Sequence, residues 1–299
     1  MPEKLEDKEI VRPANVLIVN FNVDQTPYVS IAGGLFDTPR QNGETYTEYK
    51  KRILENASLK VIDLIKHPDD KDKSVTKANL LLPFERLNNY QAVIITGSQL
   101  IARPSVIDHE NPQTREIKKG VLIKDWRKEF YQFVYAIRDA RIPLLGICFG
   151  AEGIVEALGG QLKDLKTQKG SNFWEIGWSY VKRYTGSRED PVLRGLPEEF
   201  LVPQDHEMTI TKLPEGGEVL LENERGVQGF KLGKIYGFQF HPEKSREQMM
   251  NYLDKDDVRQ RLEKKNKKID DIKALGETYN DEAKIILSNF LRFAWQNAQ

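Results

Sequence analysis

Four short, mostly apolar runs punctuate the chain: Val16–Phe21, Ala92–Thr96, Ile142–Ile147 and Ile235–Phe240. They are rich in β-branched residues, bounded by turn formers and too short for helices, so each predicts a buried strand of a parallel sheet. Between the second and third, Trp126, Phe130, Phe133, Val134 and Ile137 recur at helical spacing and predict an amphipathic helix with one apolar stripe. A second helix, from about Phe149 to Leu158, follows the third strand and stops at Gly159-Gly160. Near the end, Ile286, Phe290, Phe293 and Ala294 share a helical face and predict a closing helix. Strands alternating with helices predict an α/β fold of three layers, a mainly parallel central sheet with helices on both faces. Sheets of that kind carry their sites at the carboxyl ends of the strands.

The polar stretches predict one domain over residues 14–299, preceded by a charged tail at 1–13 and interrupted by three insertions. That near 22–48 is loop-like, rich in Gly, Thr, Pro and Asn, and that near 101–123 is another long connection after a strand end. The third, near 245–281, is highly charged, with Val258, Leu262, Ile269 and Ile272 as an intermittent stripe. Both signs are interspersed there, which predicts a solvated helix face.

Composition narrows the class. The 299 residues carry 45 basic and 45 acidic side chains, so no global field favours nucleic acid or an anionic membrane as partner. One cysteine cannot form an internal disulfide. No apolar stretch approaches the roughly 18 residues of a membrane span, and MPEKLEDKEI lacks the apolar core of a signal peptide. The expectation is a soluble, cytoplasmic protein. His67 and His109 lack the spaced Cys/His partners of a zinc site, so neither metal nor cofactor is expected.

The chemistry concentrates at three strand ends. Gly146-Ile-Cys148-Phe-Gly150 is a strand turning directly into a helix, the elbow arrangement with cysteine in the nucleophile's place. The helix N-terminus favours thiolate at Cys148, and the Phe149 amide can donate to an oxyanion. The bland reading, a buried small hydrophobe, suits many unpaired cysteines. In Phe240-His241-Pro242-Glu243, residues two apart in extended chain share a side, so Glu243 can orient the His241 imidazole. Pro242 keeps His241 out of helical geometry. Thr96-Gly97-Ser98 ends another strand in a small-residue turn able to offer backbone amides.

Together these motifs resemble the class I, triad-type glutamine amidotransferases, a family that includes the amidotransferase part of GMP synthase and stand-alone relatives. Gln239-Phe240-His241-Pro242-Glu243 matches the family motif letter for letter. Ala157–Gln161 and Glu175–Trp178 look like its connecting segments, and the resemblance spans about Asn15 to Glu243. It implies a flavodoxin-like fold and attack of Cys148 on the γ-amide of glutamine or a γ-glutamyl compound. A γ-glutamyl thioester would form, and ammonia or an amine would leave. His241 would serve as acid and base and Glu243 as its orienter, with the amides of Phe149 and of Gly97 or Ser98 as oxyanion hole. The sequence departs from the family at Glu152, where glutamine usually helps bind the substrate. A carboxylate there, one turn from Cys148, predicts altered donor recognition or simple complementation of the helix N-terminus.

Four readings stay open: a glutaminase feeding ammonia to a synthetase subunit, a stand-alone γ-glutamyl peptidase, an α/β-hydrolase with Asp205 as acid, and a non-catalytic regulatory module. Asp205-His206-Glu207 reads as a structural turn near the cleft. Trp174 and Trp178, near Ser171-Asn172, read as core or cleft wall.

Overall fold

The structure, a computed structural model, describes residues 15–20, 48, 59–63, 84–98, 126–165 and 174–297. The tail at 1–13, nearly all of the 22–48 insertion, the 101–123 insertion, His67, His109 and Ser171-Asn172 lie outside the described residues.

The apolar runs form strands as expected: β1 (Val16–Asn20), β3 (Ala92–Ile95) and β4 (Leu144–Ile147), with β2 (Leu59–Asp63) beside β1. The remaining strands are β5 (Gln161–Asp164), β6 (Glu175–Arg183), β7 (Glu199–His206), β8 (Met208–Lys212), β9 (Glu218–Asn223), β10 (Gly226–Leu232) and β11 (Ile235–Phe238). They join in one sheet of order β2-β1-β3-β4-β11-β10-β9-β6-β7, with β8 branching from β10 and carrying β5.

This sheet is mixed, which corrects the expectation of a mainly parallel one. β2, β1, β3, β4 and β11 pair in parallel. From β11 onward every pairing is antiparallel. Antiparallel strands such as β9 and β10 mix exposed polar and buried apolar residues, a weaker signal than the apolar runs of the parallel half.

The apolar stripe at 126–137 forms α1 (Trp126–Asp139), and the elbow helix is α2 (Phe149–Ala157). Both cover one sheet face, where Leu17, Val19, Val93, Ile95 and Leu144 meet Phe130, Phe133, Val134, Ile154 and Val155. The alternate residues Val16, Ile18, Ile94, Leu145 and Ile147 point to the other face, onto the closing helix α6 (Ile285–Asn297) with Ile286, Phe290 and Ala294. Burial of both parities along one strand is what a covered central strand requires.

The charged segment folds into α3 (Arg246–Leu253), α4 (Asp256–Lys264) and α5 (Ile269–Gly276). A Ser245–Gln248 capping box starts α3. Val258 and Leu262 are buried, whereas Ile269 and Ile272 are partly covered. Among the described residues no helix is long and apolar enough to cross a membrane.

Candidate active site

β3, β4 and β11 are neighbours running in the same direction, so their carboxyl ends emerge side by side. That arrangement alone brings Gly97, Cys148 and His241 together from three distant stretches of chain.

Cys148 sits between β4 and α2 at φ 51° and ψ −111°, a sparsely populated conformation for a non-glycine residue. It is fixed on both sides: its N–H donates to the Phe238 carbonyl at 2.7 Å, and its carbonyl accepts from the Glu152 N–H at 2.9 Å. The flanking glycines are required by close approach. A Cβ on Gly150 would stand 2.3 Å from the Ile95 carbonyl oxygen, and one on Gly146 would stand 2.7 Å from the Ala151 nitrogen. The elbow therefore rests on contacts across two strands as well as on its own turn.

A Cβ built on Gly97 would lie 3.0 Å from His241 Cε1 and 3.3 Å from Cys148 Cβ, so the imidazole and the elbow cysteine flank one point beside the β3 turn. His241 Nδ1 is 2.7 Å from Glu243 Oε1, with both residues buried. The His241 N–H donates to the Pro203 carbonyl of β7 at 2.9 Å. Burial pushes the Glu243 carboxyl up, but His241 and Lys244 outweigh it and hold the group below its ordinary range. Ser98 is half-buried at the end of the Gly97 turn, and Phe149 is buried as the first residue of α2.

The Cys148 thiol differs from the expectation of a helix-stabilised thiolate. Burial, and after it the carboxylates of Glu152 and Asp205, hold it well above the ordinary thiol range; Lys244 opposes them. Its S–H donates to the Asp205 carbonyl at 3.7 Å. These surroundings favour the Cys148 thiol over the thiolate.

Asp205 and His206 belong to β7, with only Glu207 at the break before β8, so the expected turn is a strand end. The Asp205 carboxylate accepts from Trp174 Nε1 at 2.9 Å and from Lys244 Nζ at 3.5 Å. Glu243, not Asp205, contacts the catalytic-candidate imidazole. Arg261 and Lys265, placed by charge patterning on a solvated face, contact the buried Glu207, Lys265 at 3.1 Å. The Arg261 guanidinium also stacks 3.7 Å above the Trp174 ring. The reason is that a buried carboxylate demands cations, and long side chains reach it while their stems cover apolar surface.

Sequence reasoning missed a second buried pair. His206 Nδ1 donates to the Met208 carbonyl at 2.7 Å, and Nε2 lies 2.9 Å from Glu175 Oε2. Nε2 makes no hydrogen bond of good geometry, but the neighbouring carboxylate favours the protonated ring. Burial opposes that charge, but Glu175 raises the His206 pKa above its ordinary value. Glu175 also accepts from Ser179 at 2.7 Å and Asn223 at 2.8 Å. Gln204 donates to Gln228 at 2.9 Å within the same network. The advance signals were the family-like segment at Glu175–Trp178 and the Asp205-His206-Glu207 run, read as a structural turn near the cleft. Glu152 is 3% exposed and accepts from Gln239 Nε2 at 2.8 Å. Among the described residues no group of three His, Cys, Asp or Glu side chains is placed to hold a metal ion.

Comparison with known proteins agrees with this geometry. The family model for glutamine amidotransferase class-I matches residues 87–259. The chain is 39% identical over 110 residues to GMP synthase [glutamine-hydrolyzing] of Thermosipho africanus, covering 36% of this chain and 20% of that one. It is 34% identical over 164 residues to the same enzyme of Aquifex aeolicus, covering 48% of this chain and 30% of that one. The matches thus span a fifth to about a third of these relatives' length. A glutamine amidotransferase from Thermotoga maritima shares the fold with a TM-score of 0.62 at 21% identity, over 94% of this chain and 98% of that one. One from Methylobacillus flagellatus does so at 0.55 and 16%, over 93% and 94%. With more than half of its length matched by the family model, the chain belongs to the class-I glutamine amidotransferase family.

Proposed function

We propose that the protein hydrolyses the γ-amide of glutamine or of a γ-glutamyl compound through a thioester on Cys148. The observation that supports this reading is the convergence of an elbow cysteine with a carboxylate-oriented histidine across the Gly97 turn. His241 accepts the thiol proton as sulfur bonds to the γ-carbonyl carbon, and the amides of Gly97 or Ser98 and of Phe149 stabilise the oxyanion. The tetrahedral adduct expels its nitrogen, which takes the proton from His241 and leaves as ammonia or an amine. Water, deprotonated by His241, then cleaves the thioester to glutamate and the free thiol. Glu243 holds the imidazole tautomer and stabilises its charged form.

The relatives named as glutamine-hydrolysing GMP synthases support free glutamine as donor and a synthetase component as receiver of ammonia. A second reading, a γ-glutamyl hydrolase acting alone, is favoured by the packing of the charged segment around Asp205, Glu207 and Trp174, beside the nucleophile. A screen of glutamine, γ-glutamyl peptides and γ-glutamyl amines for ammonia or amine release separates the two. Cys148→Ala serves as control, and release that survives in it refutes the nucleophile. Labelling of folded protein by diazo-oxo-norleucine is expected at Cys148; its absence would favour a non-catalytic module.

A further inference from the structure

Glu152 occupies a site that a carboxylate should avoid. It is buried on α2, one helical turn beyond Cys148, and its own backbone N–H is bonded to the Cys148 carbonyl. Few charged groups face it. On its own helix these are Cys148 and Glu156, neither of which can neutralise it. From β7 comes the His206 imidazole, but its ring nitrogens lie against Glu175 and the Met208 carbonyl. From the end of β11 comes the uncharged Gln239, whose N–H donates to Glu152 while its own carbonyl oxygen is buried without a hydrogen-bond donor. An ionised Glu152 would thus be a buried anion without a cation of its own, next to an unsatisfied acceptor. A carboxylic acid removes both faults, because it is neutral and carries the O–H that an amide oxygen can accept.

We propose that Glu152 is carried as a neutral acid paired with Gln239, and that as a positioning residue it gates the nucleophile: its ionisation disfavours the Cys148 thiolate. Burial, opposed by Gln239 and His206, raises the carboxyl to a pKa of about 7, so the gate operates near neutrality. Loss of one proton from Glu152 then makes loss of the second, from Cys148, harder, because two anions would share one helical turn. The proposal rests on the reading of Cys148 as nucleophile and adds to it a control absent from a glutamine at the same position.

The test reads the thiol directly. Cys148 is the sole cysteine, so the rate of alkylation by iodoacetamide reports on it alone. Measured against pH, wild type and Glu152→Gln are expected to differ little below pH 6 and to separate above pH 7. There the variant reacts faster by about tenfold or more, the effect of removing a like charge a few ångströms away. An infrared carbonyl band of a protonated carboxyl, titrating near neutrality and missing from the variant, is expected alongside. Coincident alkylation profiles, or a variant faster by the same factor at every pH, would overturn the proposal. If Glu152→Gln does not fold, the profile of His241→Gln, which removes the imidazole beside the thiol, decides: a second ionisation near neutrality supports the gate and a single one refutes it. Should the gate appear while no γ-glutamyl compound is hydrolysed, the proposed function fails and the gate stands.

Discussion

Among the described residues two histidine–carboxylate pairs are built from the same groups at almost the same distance. His241 and Glu243 are 2.7 Å apart, and His206 and Glu175 are 2.9 Å apart. They differ in what the rest of each ring meets. The described contacts of His241 engage one nitrogen only, and its Cε1 edge faces the Gly97 turn beside Cys148. His206 has Nδ1 bonded to the Met208 carbonyl and Nε2 beside Glu175, which belongs to a network with Ser179, Gln204, Asn223 and Gln228. The first pair faces the elbow cysteine across the Gly97 turn; the second is enclosed in a polar network. The pairing itself does not distinguish the two histidines. Location does: His241 follows a parallel strand beside the elbow, and His206 lies among antiparallel strands.

The sharpest break of this contrast is His241→Asn, expected to lower glutamine or γ-glutamyl hydrolysis by about a thousandfold or more, since it removes the base and keeps an N–H donor. Steady-state kinetics on folded protein would measure it, and the thermal midpoint is expected to move little. His206→Leu should do the reverse. It strands the Glu175 carboxylate inside the protein and is expected to cost about 3–5 kcal/mol in denaturant unfolding.

Stability against pH separates the pairs again. The raised pKa of His206 means its contribution is full below 6.5 and lost as pH rises through the higher folded value. The lowered pKa of Glu243 means its contribution is present above 4.5 and lost as pH falls through the lower folded value. Glu152 follows the sense of His206: the fold holds its proton, so wild type loses stability as pH rises from 4.5 to about 7. Glu152→Gln should abolish that loss, gaining at most about 3 kcal/mol above pH 7 in paired unfolding curves. The smallest expected effect is that of Gly97→Ala. Its Cβ would press on both His241 and Cys148, so the pair must give by a few tenths of an ångström. A drop in kcat of about tenfold is expected, with little change in KM.

The parallel half of the sheet was legible in the sequence because its strands are buried on both faces and read as unbroken apolar runs. Cys148, His241 and Glu243 were legible for a related reason: each sits at or just beyond the end of such a run, in a motif whose spacing is local. The antiparallel half was not read, since half-exposed strands such as β9 and β10 blend polar and apolar residues. The charged segment was read for its helical stripe but not for its contacts, since nothing local to Arg261 says that Glu207 is buried opposite.

The sequence by itself determined the elbow, the oriented histidine and the family to which the chain belongs, because each depends on residues adjacent along the chain. Only the tertiary structure decided that burial and carboxylates disfavour the Cys148 thiolate, that His206 lies beside Glu175 and that Glu152 is buried against the Gln239 amide. Those are properties of burial and of partners far apart in sequence. Charge state in a protein interior is set by what surrounds a group, not by the residues beside it in the chain.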